Sequence, residues 1–96
     1  MTQLTIIANI FANTDKIDTV KSALLLLVEQ TQKEPGCVTY TLHQNNQDDA
    51  HFVFYENWQS YELWQQHMEA QSIKNYLAKV EGCIASFTIN ELTAIR

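Results

Sequence analysis

Between Phe52 and His67 the hydrophobic period of this chain changes, and the change limits how the neighbouring segments can be arranged. Phe52, Phe54 and Glu56 alternate with Val53 and Tyr55 at the period of two expected of a strand, Ala50–Glu56. From Ser60 onward the spacing becomes three and four, with Leu63, Trp64, His67 and Met68 forming one apolar patch. Ser60 reads as an N-cap through its side-chain oxygen, and Glu62 in the first turn complements the helix dipole. This strand-to-helix stretch holds both tryptophans, half of the four Phe and four Tyr residues, and one of the three histidines. The junction brings Trp58, Trp64 and His67 to one edge of a sheet. Such a cluster suits a pocket for a flat organic ligand, and it suits an ordinary core as well.

The remaining segments follow from the same reading. Gln3–Ala12 is expected as a strand with Leu4, Ile6, Ala8 and Ile10 on one side and Thr5, Ile7, Asn9 and Phe11 on the other. Both sides are largely apolar, so both are expected to be covered. Asn9 interrupts its side, and a buried amide costs about 1–3 kcal/mol unless hydrogen-bonded. Its partner is either a loop or water, or a ligand. Asn13, Thr14 and Asp15 are helix-start residues, followed by a buried stripe of Ile17, Val20, Leu24, Leu27, Val28 and Thr31. Lys33-Glu34-Pro35-Gly36 ends that helix. Cys37–Gln44 is the second strand, with Val38, Tyr40 and Leu42 on one side and Cys37, Thr39, Thr41 and His43 on the other. Asn45–Asp49 is a polar hairpin loop, which leaves His43 and His51 as surface residues flanking it. The helix from Ser60 is open to interruption at Gln71-Ser72, continues through Ile73, Tyr76, Leu77 and Val80, and closes at Glu81-Gly82. Ala85–Ile95 is the last strand.

The order is β-α-β-β-α-β, an α+β, ferredoxin-like arrangement of four antiparallel strands with the helices on one face. The second face is left bare in a monomer. Ile7 and Phe11 on that face predict a homodimer whose two sheets pack together.

Ninety-six residues make one domain, spanning 1–96. A formal charge of −5 with no basic stripe argues against nucleic acid and against anionic membrane surfaces. The longest apolar run, Ala23–Val28, is too short to cross a bilayer, and Met-Thr-Gln-Leu-Thr lacks a signal peptide's basic region. Cys37 and Cys83 are far apart and read as buried hydrophobes or free thiols of a cytoplasmic protein. No His/Cys/carboxylate spacing suggests a metal site, and there is no glycine-rich phosphate loop.

At Glu34-Pro35-Gly36-Cys37-Val38-Thr39-Tyr40-Thr41-Leu42, and again from Phe54-Tyr55-Glu56-Asn57-Trp58 to His67, the chain resembles the antibiotic biosynthesis monooxygenase family. The resemblance implies a dimeric α/β barrel. It also implies oxidation of a quinol-like or polycyclic phenolic small molecule by O2, with no metal or flavin cofactor. In that chemistry the substrate supplies the electrons, while the protein moves a proton, stabilises an oxyanion and excludes water. His67 is the expected base, Asn9 and the Trp58 indole N–H the expected donors to the substrate, and Phe11, Tyr40, Phe54 and Trp64 the expected walls. Glu56 is expected to orient His67 or to meet solvent. The alternative is a non-enzymatic dimeric module that binds an apolar small molecule, or an isomerase or haem-directed relative. The haem-degrading branch of the family is similar at Asn9, but its iron-ligating histidine falls near Leu77, and no histidine follows His67 here. The branch acting on a phosphorylated sugar signal implies cationic side chains. This chain has only Arg96 and no lysine between Lys33 and Lys74.

Overall fold

The computed structural model describes residues 3–96. Seven elements follow one another: β1 (Leu4–Ala12), α1 (Ile17–Thr31), β2 (Cys37–Asn45), β3 (Asp48–Trp58), α2 (Tyr61–Met68), α3 (Gln71–Lys79) and β4 (Ile84–Leu92). The strands form one antiparallel sheet in the order β2-β3-β1-β4. This is the expected ferredoxin-like topology, with the second helix divided in two. The break falls at Glu69-Ala70, where Ala70 takes an extended backbone before α3 begins. Ser60 caps α2 as expected, its Oγ accepting from the Leu63 N–H at 3.2 Å.

Alternation along β1 decides which side chains meet the helices. Ile6, Ala8, Ile10 and Ala12 are buried against Val20, Ala23, Leu24 and Leu27 of α1, and the core continues through Phe52, Phe54 and Trp58 of β3. Thr5, Ile7, Asn9 and Phe11 therefore lie on the opposite, open face, together with His51, Val53, Tyr55 and Asn57 of β3. No helix covers that face; neighbouring side chains bury its central residues only in part.

Three local readings are corrected. Asn13 does not cap α1: Lys16 holds the N-cap position, with no side-chain hydrogen bond. Asn13 instead ties the end of β1 to the turn before β4, its backbone N–H donating to Cys83 O and its Nδ2 to Gly82 O. Cys37 lies on the side of Tyr40, not opposite it. Its partner is Trp58 while Thr39 pairs with Asn57, so Val38 is an extra residue in β2 that reverses the alternation. Val38 is consequently left about half exposed, while Cys37 packs against the core. His51, expected at the surface, is half-buried on the open face and hydrogen-bonded.

Gly36 shapes the path from α1 into β2. Its φ is +84°, and a Cβ there would sit 2.5 Å from Cδ1 of Leu63 in α2. The backbone is thus pressed directly onto the α2 side chain. Gly82 also has a positive φ, +77°, but open space surrounds it. Gly36→Ala is expected to cost about 3 kcal/mol, combining a left-handed backbone with overpacking, and Gly82→Ala about 1 kcal/mol. Urea denaturation of both variants measures the difference; equal costs would mean that the contact with Leu63 is not a constraint.

Candidate active site

The fold leaves a cavity of about 670 Å³ between the sheet and the α2–α3 segment. That is within the usual size of a small-ligand pocket. Its floor is low because Ala8, a short side chain, lies between Phe54 of β3 and Ile89 of β4. Leu27, Met68, Ile73, Tyr76 and Val80 wall it from the helices. The cavity has two unlike ends. At the inner end are Tyr40, Glu56 and His67, each no more than 4% exposed. At the other, Leu77 (57% exposed) faces the β4 edge, where Phe87 (64%) and Ile89 are left uncovered by the helices.

The inner end is built by three strand positions and one helix position. Glu56 and Trp58 are two residues apart on β3, hence on one face, and the Trp58 Nε1–H donates to Glu56 Oε1 at 2.9 Å. Tyr40 is the β2 residue opposite Glu56. His67 stands one turn beyond Leu63 in α2, and its ring lies 4.8 Å from that of Trp58 and 5.5 Å from that of Tyr40.

The loop that presses on Leu63 carries Glu34 to His67. The His67 Nδ1–H donates to Glu34 Oε1 at 2.8 Å, and Ser72 Oγ donates to Glu34 Oε2 at 2.7 Å. Ser72 stands in the first turn of α3, so the carboxylate also lies near the positive end of that helix. With Nδ1 bearing the proton, Nε2 keeps its lone pair, and Nε2 makes no hydrogen bond to the described residues. Burial holds the His67 imidazole below its ordinary value, opposed by the hydrogen bond and charge of Glu34.

Four acidic side chains nearby are pushed upward. Burial raises Glu56 to about 7, opposed by the Trp58 N–H. Burial, then Glu56 and Glu34, raise the Cys37 thiol to about 11. Burial, followed by Glu56, holds the Tyr40 phenol well above its usual range, and burial alone takes Tyr76 to about 12. Both cysteines are free thiols.

The structure therefore brings together five of the eight residues expected to form a site: His67, Trp58, Tyr40, Phe54 and Glu56. Trp58 lies behind the cavity wall with its N–H engaged by Glu56, so it supports the carboxylate and is not free to donate to a ligand. Trp64 is buried in the core and packs against Tyr61, away from the cavity. Asn9 and Phe11 are on the open face. The His51 Nε2–H donates to Asn9 Oδ1 at 2.8 Å, and Phe11 stacks on the same imidazole at 4.2 Å. Neither reaches the cavity. The partner of His67 is Glu34, not Glu56. Its signal is an acidic residue directly before a Pro-Gly turn, but a sequence separation of 33 between Glu34 and His67 hides the pairing. Among the described residues no three His, Cys, Asp or Glu side chains converge on a metal-sized site, and no helix is long and apolar enough to cross a membrane.

Known proteins share this architecture. The sequence pattern of the antibiotic biosynthesis monooxygenase family matches residues 3–79, and the chain belongs to that family. The structure superposes on that of a Pseudomonas aeruginosa protein with a TM-score of 0.95 at 26% identity, covering 100% of this chain and 97% of the other. An antibiotic biosynthesis monooxygenase superposes with a TM-score of 0.91 at 28% identity, covering 97% of this chain and 99% of the other. A Bacteroides thetaiotaomicron protein described as a possible oxidoreductase is similar in fold, with a TM-score of 0.88 at 16% identity and coverage of 97% and 98%. An uncharacterized Synechocystis protein is 22% identical over 82 residues, a match to 85% of this chain. The chain spans 56% of the length of that curated relative.

The raised Glu56 acidity has a consequence for stability. A carboxyl that titrates near 7 when folded and near 4.5 when unfolded keeps its proton only in the folded state across that window. The Glu56 contribution to stability is therefore present below about 4.5 and lost as pH rises through about 7, a change on the order of 3 kcal/mol. His67, held low, acts in the opposite sense below its ordinary value. Urea denaturation of the wild type and Glu56→Gln at about pH 5 and about pH 8 isolates the carboxyl, because the variant is expected to lack this loss. Identical pH profiles would contradict the assignment.

Proposed function

We propose that this protein is a monooxygenase that oxidises a quinol-like or polycyclic phenolic small molecule with O2, the substrate itself supplying the electrons. The observation that carries this reading is the Glu34–His67 pair at the inner end of an apolar cavity. It supplies an oriented, neutral imidazole with a free Nε2 where a ring would lie. His67 Nε2 removes a proton from the activated carbon or hydroxyl of the substrate. The imidazolium formed is stabilised by the Glu34 carboxylate, which Ser72 holds in place. The substrate anion passes one electron to O2, and the radical and superoxide combine to form a C–O bond. The peroxide takes the proton back from His67, and loss of water leaves a carbonyl. One CH2 becomes C=O, and the second oxygen atom leaves as water with the two hydrogens. Glu56, in its protonated form, donates a hydrogen bond to the developing oxyanion, while Tyr40 and Phe54 hold the ring.

Oxygen uptake with a panel of quinols and anthrones, in the presence of a chelator, tests the reaction. A rate above background is expected. Substrate bound but recovered unchanged after aerobic incubation would favour the binding-module reading. His67→Ala is expected to lower turnover by at least about a hundredfold. A loss below about tenfold would remove His67 from the base role. The pH profile is expected to be bell-shaped. Activity rises as His67 becomes neutral and falls as Glu56 ionises near 7, and Glu56→Gln removes the alkaline limb.

The open sheet face, with Ile7, Phe11, Val53 and Tyr55, supports a homodimer formed face to face. Sedimentation at micromolar concentration is expected to show the dimer, and Tyr55→Lys to weaken it. A compact wild-type monomer would overturn this assembly.

A further inference from the structure

Among the described residues no permanent cation offsets the carboxyl groups around the cavity. Glu56 lies at the inner end and Glu81 at the outer, and none of the described lysines or arginines lines the space between. Lys79, at the end of α3, borders a separate small crevice with Ala23 and Gln30. Among the described residues the imidazole of His67 is the single basic group on the lining, and its Nδ1–H is already engaged by Glu34. The α3 N-terminus, which would otherwise attract an anion, has Ser72 engaged by that same carboxylate. The field of Glu56 and Glu34 reaches the phenol of Tyr40 and the thiol of Cys37, and opposes ionisation of both.

Polarity is also unevenly distributed. The buried inner end offers His67 and Glu56, while the outer half is walled by Leu77, Ile84, Phe87 and Ile89. A bound anion there would lose hydration with no cation to replace it, which is a large cost in a site this apolar. A neutral ring system has no such cost and gains from burial against these side chains.

We propose that the cavity selects an uncharged, flat aromatic ligand bearing one protic pole, which enters between Leu77 and Phe87 with that pole leading and comes to rest with it on Glu56 and His67, and that ligands carrying a carboxylate or phosphate are excluded. This rests on the reading of the cavity as the active site and narrows the substrate class for it. Other arrangements of the same phenol chemistry, in which an acidic side arm anchors the substrate, do not fit these walls.

Calorimetric titration with three probes tests this at about pH 8: 2-naphthol, 2-methoxynaphthalene and 6-hydroxy-2-naphthoate. 2-Naphthol is expected to bind, 2-methoxynaphthalene at least about fivefold more weakly for want of the proton, and the carboxylate at least about tenfold more weakly. Glu81→Lys, which puts a cation at the mouth, is expected to recover most of the affinity for the naphthoate. Naphthoate binding within about threefold of 2-naphthol overturns the proposal, as does a failure of 2-naphthol to bind. Because binding is read without turnover, the two readings fail separately. Discrimination among the probes without oxygen uptake by any quinol or anthrone would sink the monooxygenase reading and leave the selectivity standing.

Discussion

The site depends on a backbone lying flat against a helix. At Gly36 the chain leaving α1 has no side chain to hold it off Leu63, and the peptide segment settles onto α2. Two residues earlier in that segment is Glu34; one turn later in that helix is His67. The same close approach of this turn to α2 therefore sets the carboxylate 2.8 Å from the imidazole. Ser72 extends the connection to α3. The turn after α1 is joined to both α2 and α3 through one carboxylate, so the break that divides the second helix has a use. It turns the first turn of α3 toward Glu34, which a continuous helix would carry past it.

Around this pair the protein keeps ionisable groups in their uncharged forms. Burial is the first cause at Glu56, Tyr40, Cys37 and Tyr76, and it is the first cause at His67, where it acts in the opposite direction. A neutral acid and a neutral base can share a small dry space because neither brings a charge that water must solvate. The Trp58 N–H is the counterweight. By donating to one Glu56 oxygen it opposes the upward push of burial on that carboxyl. Glu56 then titrates near 7, in the range that proton-transfer chemistry uses.

Much of the architecture is legible in the sequence, for reasons that are local. Alternation in Leu4–Ala12 and Phe52–Glu56, the three- and four-residue spacing after Ser60, and the Ser60 cap depend on near neighbours. Sidedness is harder. Alternation separates Asn9 from Ile10, but it cannot say which of the two meets the helices, and Asn9 and Phe11 prove to lie on the far face with His51. One extra residue at Val38 is enough to move Cys37 across the sheet. The Glu34–His67 contact was beyond reach because both residues have sound local explanations, one as part of a turn and the other as part of an apolar helix face. Only the tertiary packing at Gly36 makes them partners.

Chemistry and access are carried by different parts of the sheet. The reactive groups hang from β2, β3 and α2, at the protected end, whereas the mouth is an edge strand that the helices leave uncovered, with Phe87 and Ile89 beside Leu77. Edge side chains of this kind have little to do with core packing. They can be exchanged for larger, smaller or charged ones at small cost in stability, while Glu34, Glu56 and His67 stay as they are. A lineage built on this plan is free to retune what it admits one residue at a time without rebuilding its acid–base machinery. The barrier between one substrate and the next lies at the margin of the fold.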